Sequence, residues 1–299
     1  MKKIFITGGT GFIGSVLVYS LLQENYEIYV LTRNSEKIKK LPSSCKIVSG
    51  NPTVKGDWQK FLKEMDIVIN LAGQNIFSKW TEEYKNKILE SRVKSTQNIV
   101  SSLKEGTLLL NASAVGYYGD KGDEIVTEES LPGNDFLAKV CIQWEKEALK
   151  AKERGAKVII TRFGIVLGKG GMLAKILPFF KFGLGGTLGK GNQWFPWIHI
   201  KDLISAISFL IKKEKEGIYN LTSPNPVTNK EFTKTLGRIL KRPTILPVPL
   251  FMLKLVFGEL SNVIISSIKA YPQNLLSIGF SFKFETLESA LKDLLEKST

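Results

Sequence analysis

The chain is poor in the side chains that metal centres and nucleophilic triads require. It holds one histidine, His199, and two cysteines, Cys45 and Cys141, far apart and without ligand spacing. A metal site or a Ser-His-Asp triad has almost no material to work with, and the cysteine count fits a reduced, cytoplasmic setting. No run approaches the 18 apolar residues of a membrane span. The apolar run behind Met1-Lys2-Lys3 is a short strand ending in glycine, not the core of a secretion signal. Acid is missing too. Between Glu153 and Asp202 there is no Asp or Glu, yet Arg154, Lys157, Arg162, Lys169, Lys175, Lys181, Lys190 and Lys201 fall there. Of the net charge of +14, residues 161–299 supply the larger share, with 19 Lys/Arg against 9 Asp/Glu. Such a field favours an anionic small-molecule substrate. The competing reading is a lysine-rich solvated surface. The basic residues are dispersed, with no arginine-rich arm, so nucleic acid is not the expected partner.

What the chain does have begins at its third residue. The apolar strand Lys3–Thr7 runs straight into Gly8-Gly-Thr-Gly-Phe-Ile-Gly14, and a helix-compatible run follows. Gly9, Gly11 and Gly14 fit G-x-G-x-x-G in the context that motif needs. Glycine lets the backbone turn sharply and approach a pyrophosphate, and the free N–H groups at the helix start face the anion. The alternative is a tight strand-to-helix turn with no ligand.

Further strands are predicted at Glu27–Thr32, Lys46–Ser49, Asp66–Gly73, Thr107–Ser113, Lys157–Arg162 and 217–221, and helices at about 81–103, 136–153 and 202–213. Strands alternating with helices imply a parallel, doubly wound α/β sheet of Rossmann type. Continuous apolar runs imply strands covered on both faces. The loops after Thr7, Thr32, Leu71, Ser113 and Arg162 are expected to ring one site at the carboxyl ends of the strands. After Gly164 the pattern changes. The expected division is a dinucleotide-binding lobe of residues 1–165, also using 200–222, and a small α+β lobe of 166–199 and 223–299. The apolar Leu250–Leu255 is expected to be a core helix of that second lobe, with a membrane-surface helix as the alternative.

The end of the second strand selects the nucleotide. An acidic residue there bonds the ribose 2′-hydroxyl of NAD. This chain has Thr32-Arg33-Asn34 instead, and a guanidinium forks onto a 2′-phosphate. Arg33, with Thr32 and Ser35 adding hydroxyls, argues for NADP(H). A solvated loop arginine is the alternative.

These residues resemble the short-chain dehydrogenase/reductase superfamily, in its extended, nucleotide-sugar-epimerase-like branch. The resemblance narrows along the chain. Asn70-Leu-Ala-Gly73, Trp80, Ser91-Arg92, Ser113-Ala-Val-Gly-Tyr-Tyr-Gly119, Trp144-Glu145, Arg162-Phe-Gly-Ile-Val-Leu-Gly168 and Trp197-Ile-His-Ile-Lys-Asp202 occur in order, followed by Pro247, Gly258-Glu259, Pro272 and Gly279-Phe280. Together they are similar to the atypical "epimerase family" group of NADP-binding proteins. The resemblance implies cofactor contacts at Gly8, Gly9, Thr10, Gly11, Phe12, Ile13, Thr32, Arg33, Leu71, Ala72, Gly73, Arg92 and Ile165, with Lys87 as a further cofactor-side position. It permits a homodimer through the helices at 81–103 and 136–153.

The superfamily's acid–base pair is a helical Tyr-x-x-x-Lys, a phenol poised beside the reacting carbon. Here the matching helix places Leu137 and Cys141 at those positions, and neither serves. A literal Tyr117-x-x-x-Lys121 falls in a loop, where one-face geometry is not assured. Ser113 is the surviving element, and Tyr117 or Tyr118 is expected to supply a proton. His199 is read as a structural histidine and Cys141 as core packing. Two functions remain open. One is an NADP(H)-dependent oxidoreductase or epimerase acting on a small anionic substrate through Ser113 and a tyrosine. The other is a non-catalytic NADPH-binding sensor or scaffold.

Overall fold

Seven parallel strands form the central sheet: β1 (Lys3–Thr7), β2 (Glu27–Thr32), β3 (Lys46–Ser49), β4 (Ile67–Asn70), β5 (Leu108–Ala114), β6 (Lys157–Phe163) and β7 (Gly217–Leu221), in the order β7-β6-β5-β4-β1-β2-β3. The computed structural model describes residues 1–296, apart from the side chains of Ser35, Lys37 and Lys40. The chain runs outward from β1 on one side and from β4 on the other. Their carboxyl ends are adjacent, with Thr7 paired to Leu31 and to Asn70. A cleft opens at such a switch point because successive loops leave in opposite directions.

Alternation along each strand sends side chains to two cores. Ile4, Ile6, Val30, Ile69 and Leu110 face one way, against helices α1 (Phe12–Gln23) and α5 (Ile200–Lys213). Phe5, Leu31, Val68, Leu109 and Ile160 face the other, against Trp58, Leu62 and the helices α2 (Glu82–Val100) and α3 (Phe136–Leu149). Both long helices start on a side-chain cap: Thr81 accepts from Tyr84 N–H at 3.2 Å and Asp135 from Ala138 N–H at 2.9 Å.

A separate apolar cluster gathers Leu173 and Phe180 of helix α4 (Gly171–Lys181), Phe232 and Leu236 of α6 (Asn229–Leu240), and Leu287 and Leu291 of the C-terminal helix, Leu287–Leu295, around Trp197. Helix α7 (Leu250–Phe257) is not in it. It forms where the apolar run stands, but Leu253 is its one buried residue. The second core is already filled by the other helices, so the expectation that 250–255 is a core helix is corrected. Among the described residues no helix is long and apolar enough to cross a membrane.

The β1–α1 turn explains its glycines by contact. Gly8 has φ +72°, and a Cβ there would stand 2.6 Å from the Leu71 carbonyl oxygen. A Cβ on Gly14 would lie 2.2 Å from the Gly8 carbonyl oxygen, so α1 packs on the turn only without one. Replacing Gly14 with alanine is expected to destabilise the protein by about 1–3 kcal/mol, read as a lower urea midpoint. An unchanged midpoint would show that the turn relaxes freely.

Candidate functional site

Two joined cavities lie over the switch point. The smaller, about 240 Å³, is walled by Thr10, Thr32, Arg33, Asn34, Ala72 and Ser91. The larger, about 460 Å³, is walled by Phe12, Ile13, Arg92, Ser113, Leu137, Cys141 and Trp144, among others. Gly8, Gly11, Leu71, Gly73 and Gln74 border both. The loops after β1, β2, β4, β5 and β6 thus meet, as the strand pattern predicts.

Of the expected cofactor-side residues, Gly8, Thr10, Gly11, Phe12, Ile13, Thr32, Arg33, Leu71, Ala72, Gly73 and Arg92 line one cavity or the other. Gly9 does not; its Cα faces Val30, where a Cβ would be 2.8 Å from a methyl group. Ile165 does not either, although its neighbours Gly164 and Val166 do. Lys87 lies outside both walls and pairs with Glu83 along the exposed helix. Ser35's side chain is outside the described residues.

Beneath the cavities runs a buried polar chain that the sequence reading missed. Thr7 Oγ1 donates to Asn70 Oδ1 at 2.6 Å, and Asn70 Nδ2 donates to Asn111 Oδ1 at 2.7 Å and to Thr96 Oγ1 at 2.9 Å. It ties the ends of β1, β4 and β5 together and fixes the loops that leave them. The available signal was an asparagine near the end of each of two otherwise apolar strands.

Arg33 is exposed and makes no ion pair among the described residues. Arg92 is held in place: its Nη1 donates to Ile88 O at 2.9 Å, its Nη2 to Gln74 O at 3.2 Å, and the guanidinium sits 5.2 Å from the Trp144 ring centroid. Burial pulls its pKa below the ordinary value.

Ser113 faces the larger cavity. Its hydroxyl donates to Glu145 Oε1 at 2.6 Å, and the same carboxylate takes Nε and Nη2 of Arg162 at 2.9 and 2.7 Å. Arg162 Nη1 donates to the Tyr118 hydroxyl at 2.9 Å, which passes its own proton to Asn220 Oδ1 at 2.7 Å. Tyr118 is fully buried, and burial pushes its pKa up to about 12 against the opposing pull of Arg162. Tyr117 lies under the Arg162 guanidinium, 3.4 Å from its ring centroid. Neither tyrosine lines either cavity, so the structure places both as supports of Arg162 rather than beside a reacting carbon. Tyr117 sits in a single 3₁₀ turn, Val115–Tyr118, and Gly119 at φ +67° separates that turn from Lys121. The two do not share a helical face.

Leu137 and Cys141 do line the larger cavity. Burial first, then the Glu145 charge, raises the Cys141 thiol to about 11, which leaves it protonated and unreactive at neutral pH.

His199 lies elsewhere. Its Nδ1 accepts from Lys201 N–H at 3.1 Å and caps α5, its ring stacks on Phe284, and its Nε2 stands 3.3 Å from Asp293. Burial lowers its pKa to about 4; Asp293 opposes this, and Lys201 and Lys283 add to it.

The unfolded chain therefore binds a proton on His199 between pH 6.5 and 4 that the folded chain refuses. Stability falls as pH drops through that window, by about 2 kcal/mol from pH 7 to pH 5. His199→Asn, which keeps an acceptor for Lys201, is expected to flatten this slope in urea titrations. Separately, Glu145→Gln leaves Arg162 buried without its partner and is expected to cost about 3–5 kcal/mol. A near-wild-type midpoint for that variant would show that the pair is not holding the fold.

Comparison with known proteins agrees with this geometry. A model of the NAD dependent epimerase/dehydratase family matches residues 4–222, and a domain of unknown function, DUF1731, matches residues 248–294. The chain is 38% identical to the "Epimerase family protein SDR39U1 homolog, chloroplastic" of Arabidopsis thaliana, over 98% of this chain and 86% of that protein. It is 39% identical to an epimerase family protein of Staphylococcus aureus, over 99% of this chain and all of the other. The crystal structure of human epimerase family protein SDR39U1 with NADPH superposes with a TM-score of 0.86 at 28% identity, covering 98% of both chains. Thermus thermophilus UDP-glucose 4-epimerase with NAD shares the fold, with a TM-score of 0.78 at 20% identity. By the span of the matched model and these full-length relatives, the chain belongs to the NAD dependent epimerase/dehydratase family.

Proposed function

We propose that the joined cavities hold NADP(H) and that the protein is an oxidoreductase or epimerase-like enzyme acting on a small molecule in the larger cavity. One observation carries the reading. The glycine turn, whose close approaches leave no room for a Cβ at Gly8 or Gly14, opens into a cavity where Arg33 stands in place of a carboxylate. A dinucleotide fits that cradle: Gly8, Thr10 and Gly11 would hold its pyrophosphate, and Thr32 and Arg33 its adenosine ribose and 2′-phosphate. The human SDR39U1 structure with NADPH supports the same choice. In this reading residues 1–165 with 200–222 hold the nucleotide, and 166–199 with the segment from 223 shape the substrate side.

When bound, the nicotinamide supplies two-electron redox chemistry. This chain's own part is to bind, orient and exclude water. The larger cavity has apolar walls, and Arg92 is the sole Lys or Arg among its described lining residues. The basic stretch at 154–201 therefore draws an anionic substrate from outside rather than seating it, and any seated negative charge meets Arg92. In this reading Ser113, in the wall of the larger cavity, bonds the reacting oxygen. Its proton is committed to Glu145, which only accepts, so the Ser113 oxygen faces the cavity as an acceptor. That suits a substrate hydroxyl better than a carbonyl.

The second reading, an NADPH-binding sensor or scaffold without turnover, is favoured by Leu137 and Cys141 in the larger cavity's wall. No lysine lines that wall among the described residues, and the one thiol is protonated at neutral pH.

Titration by nicotinamide fluorescence tests the cofactor. NADPH is expected to bind at least tenfold more tightly than NADH, and Arg33→Ala to erase that difference by weakening NADPH alone. Equal losses for both would overturn the role of Arg33. Ser113→Ala separates the two readings: the enzyme loses substrate-dependent NADPH turnover and keeps its affinity for NADPH, whereas a sensor shows no turnover to lose.

A further inference from the structure

The apolar residues that escape the second core are not scattered. Helix α7 turns Phe251 (71% exposed) and Leu255 (85%) outward, and the strand-like segment before it does the same with Ile245 (80%) and Leu246 (78%). That segment runs along the loop after α4. Val248 N–H donates to Thr187 O at 2.8 Å, Gly189 N–H donates to Val248 O at 3.0 Å, and Arg242 Nε donates to Lys181 O at 2.7 Å. Phe182 (81%) and Leu184 (71%) are thereby brought to the same face. Other exposed apolar side chains, such as Val54 and Leu131, lie elsewhere in the chain, whereas so many brought together here mark a contact surface.

The charge around this face selects the partner. Residues 169–191 and 241–258, which build it, contain seven Lys/Arg and no Asp or Glu. Lys181, Lys190, Lys241 and Lys254 are exposed and have no ion-pair partner among the described residues. A second copy would set lysines against lysines across a two-fold axis, since the same patch faces itself. An apolar centre rimmed by unpaired cations is complementary to a layer that is negative at its surface and hydrocarbon beneath. This is the arrangement of helices that lie in the plane of an anionic membrane.

We propose that this face docks on an anionic lipid bilayer, with Phe182, Ile245, Leu246, Phe251 and Leu255 entering the headgroup boundary and the lysines bonding lipid phosphates. The inference is independent of the proposed catalytic function, because none of these residues lines either cavity.

Flotation of the full chain with vesicles tests it. The protein is expected to float with vesicles of equal parts phosphatidylcholine and phosphatidylglycerol, to remain free with phosphatidylcholine alone, and to be released by salt. Each cation near such a surface contributes on the order of fivefold to binding, so Lys181→Glu with Lys241→Glu is expected to lower the partition coefficient more than tenfold. Phe251→Asp with Leu255→Asp is expected to abolish it. All four side chains are exposed, and an unchanged NADPH titration and urea midpoint would show that the variants remain folded. Absence of flotation, flotation that the variants leave unchanged, or a dimer in sedimentation that Phe251→Asp with Leu255→Asp dissolves would each overturn the proposal. The last would assign the face to a second copy.

Discussion

The ion pair between Glu145 and Arg162 is the constraint on which the larger cavity depends. Both side chains are essentially inaccessible. Burying two charges costs several kcal/mol per ion, and the pair is tolerated only when the remaining donors and acceptors are satisfied. Here they are. Glu145 takes two bonds from Arg162 and one from Ser113, while Arg162 gives its remaining nitrogen to the Tyr118 hydroxyl and the Glu128 carbonyl. The chain of contacts joins α3, β5, β6 and, through Asn220, β7. The wall that presents Ser113 is therefore cross-linked to the edge of the sheet, and a residue in it cannot shift alone.

That arrangement also decides what the tyrosines do. A proton donor must reach the reacting group and must have a pKa near the working pH. Tyr118 fails on both counts, being buried away from the cavity with its acidity pushed out of range. Tyr117 gives its ring face to the guanidinium. The two tyrosines expected to supply a proton instead pack on and bond to Arg162, which is a structural use of the same side chains.

Most of the nucleotide half was legible because its signals are local. The G-x-G-x-x-G turn and the apolar runs of β1, β2, β4 and β5 each act over a few residues, so the chain displays them in order. What was not legible depends on distance. Glu145 and Arg162 are apart in sequence and on different elements, and nothing local announces their pairing. Asn70 and Asn111 read as strand-end polar residues until β4 and β5 are set side by side. Helix α7 looked like core because composition reports how apolar a segment is and not whether a core remains to receive it. The literal Tyr117-x-x-x-Lys121 misleads for the converse reason: a spacing has meaning only on a helix, and here a 3₁₀ turn and a left-handed glycine intervene.

Charge shows the same separation between count and placement. The excess of Lys and Arg suggests anionic ligands at the site, yet inside the fold cations are already neutralised or held. Arg162 is bound by Glu145, and Arg92 by two carbonyls and an indole face. The unpaired charge is on the outside: Arg33 at the smaller cavity, and the lysines around α7. The interior arginines therefore set geometry, while the exposed ones set which ligands approach. This division has a consequence for chemistry at Ser113. Glu145 accepts from Arg162 and Ser113 and lines neither cavity, so it orients the serine and does not itself meet a ligand there. In the proposed enzyme a proton from a substrate hydroxyl would leave to solvent in the cavity, or by relay, Ser113 passing its own proton to Glu145 Oε1 as it takes the new one.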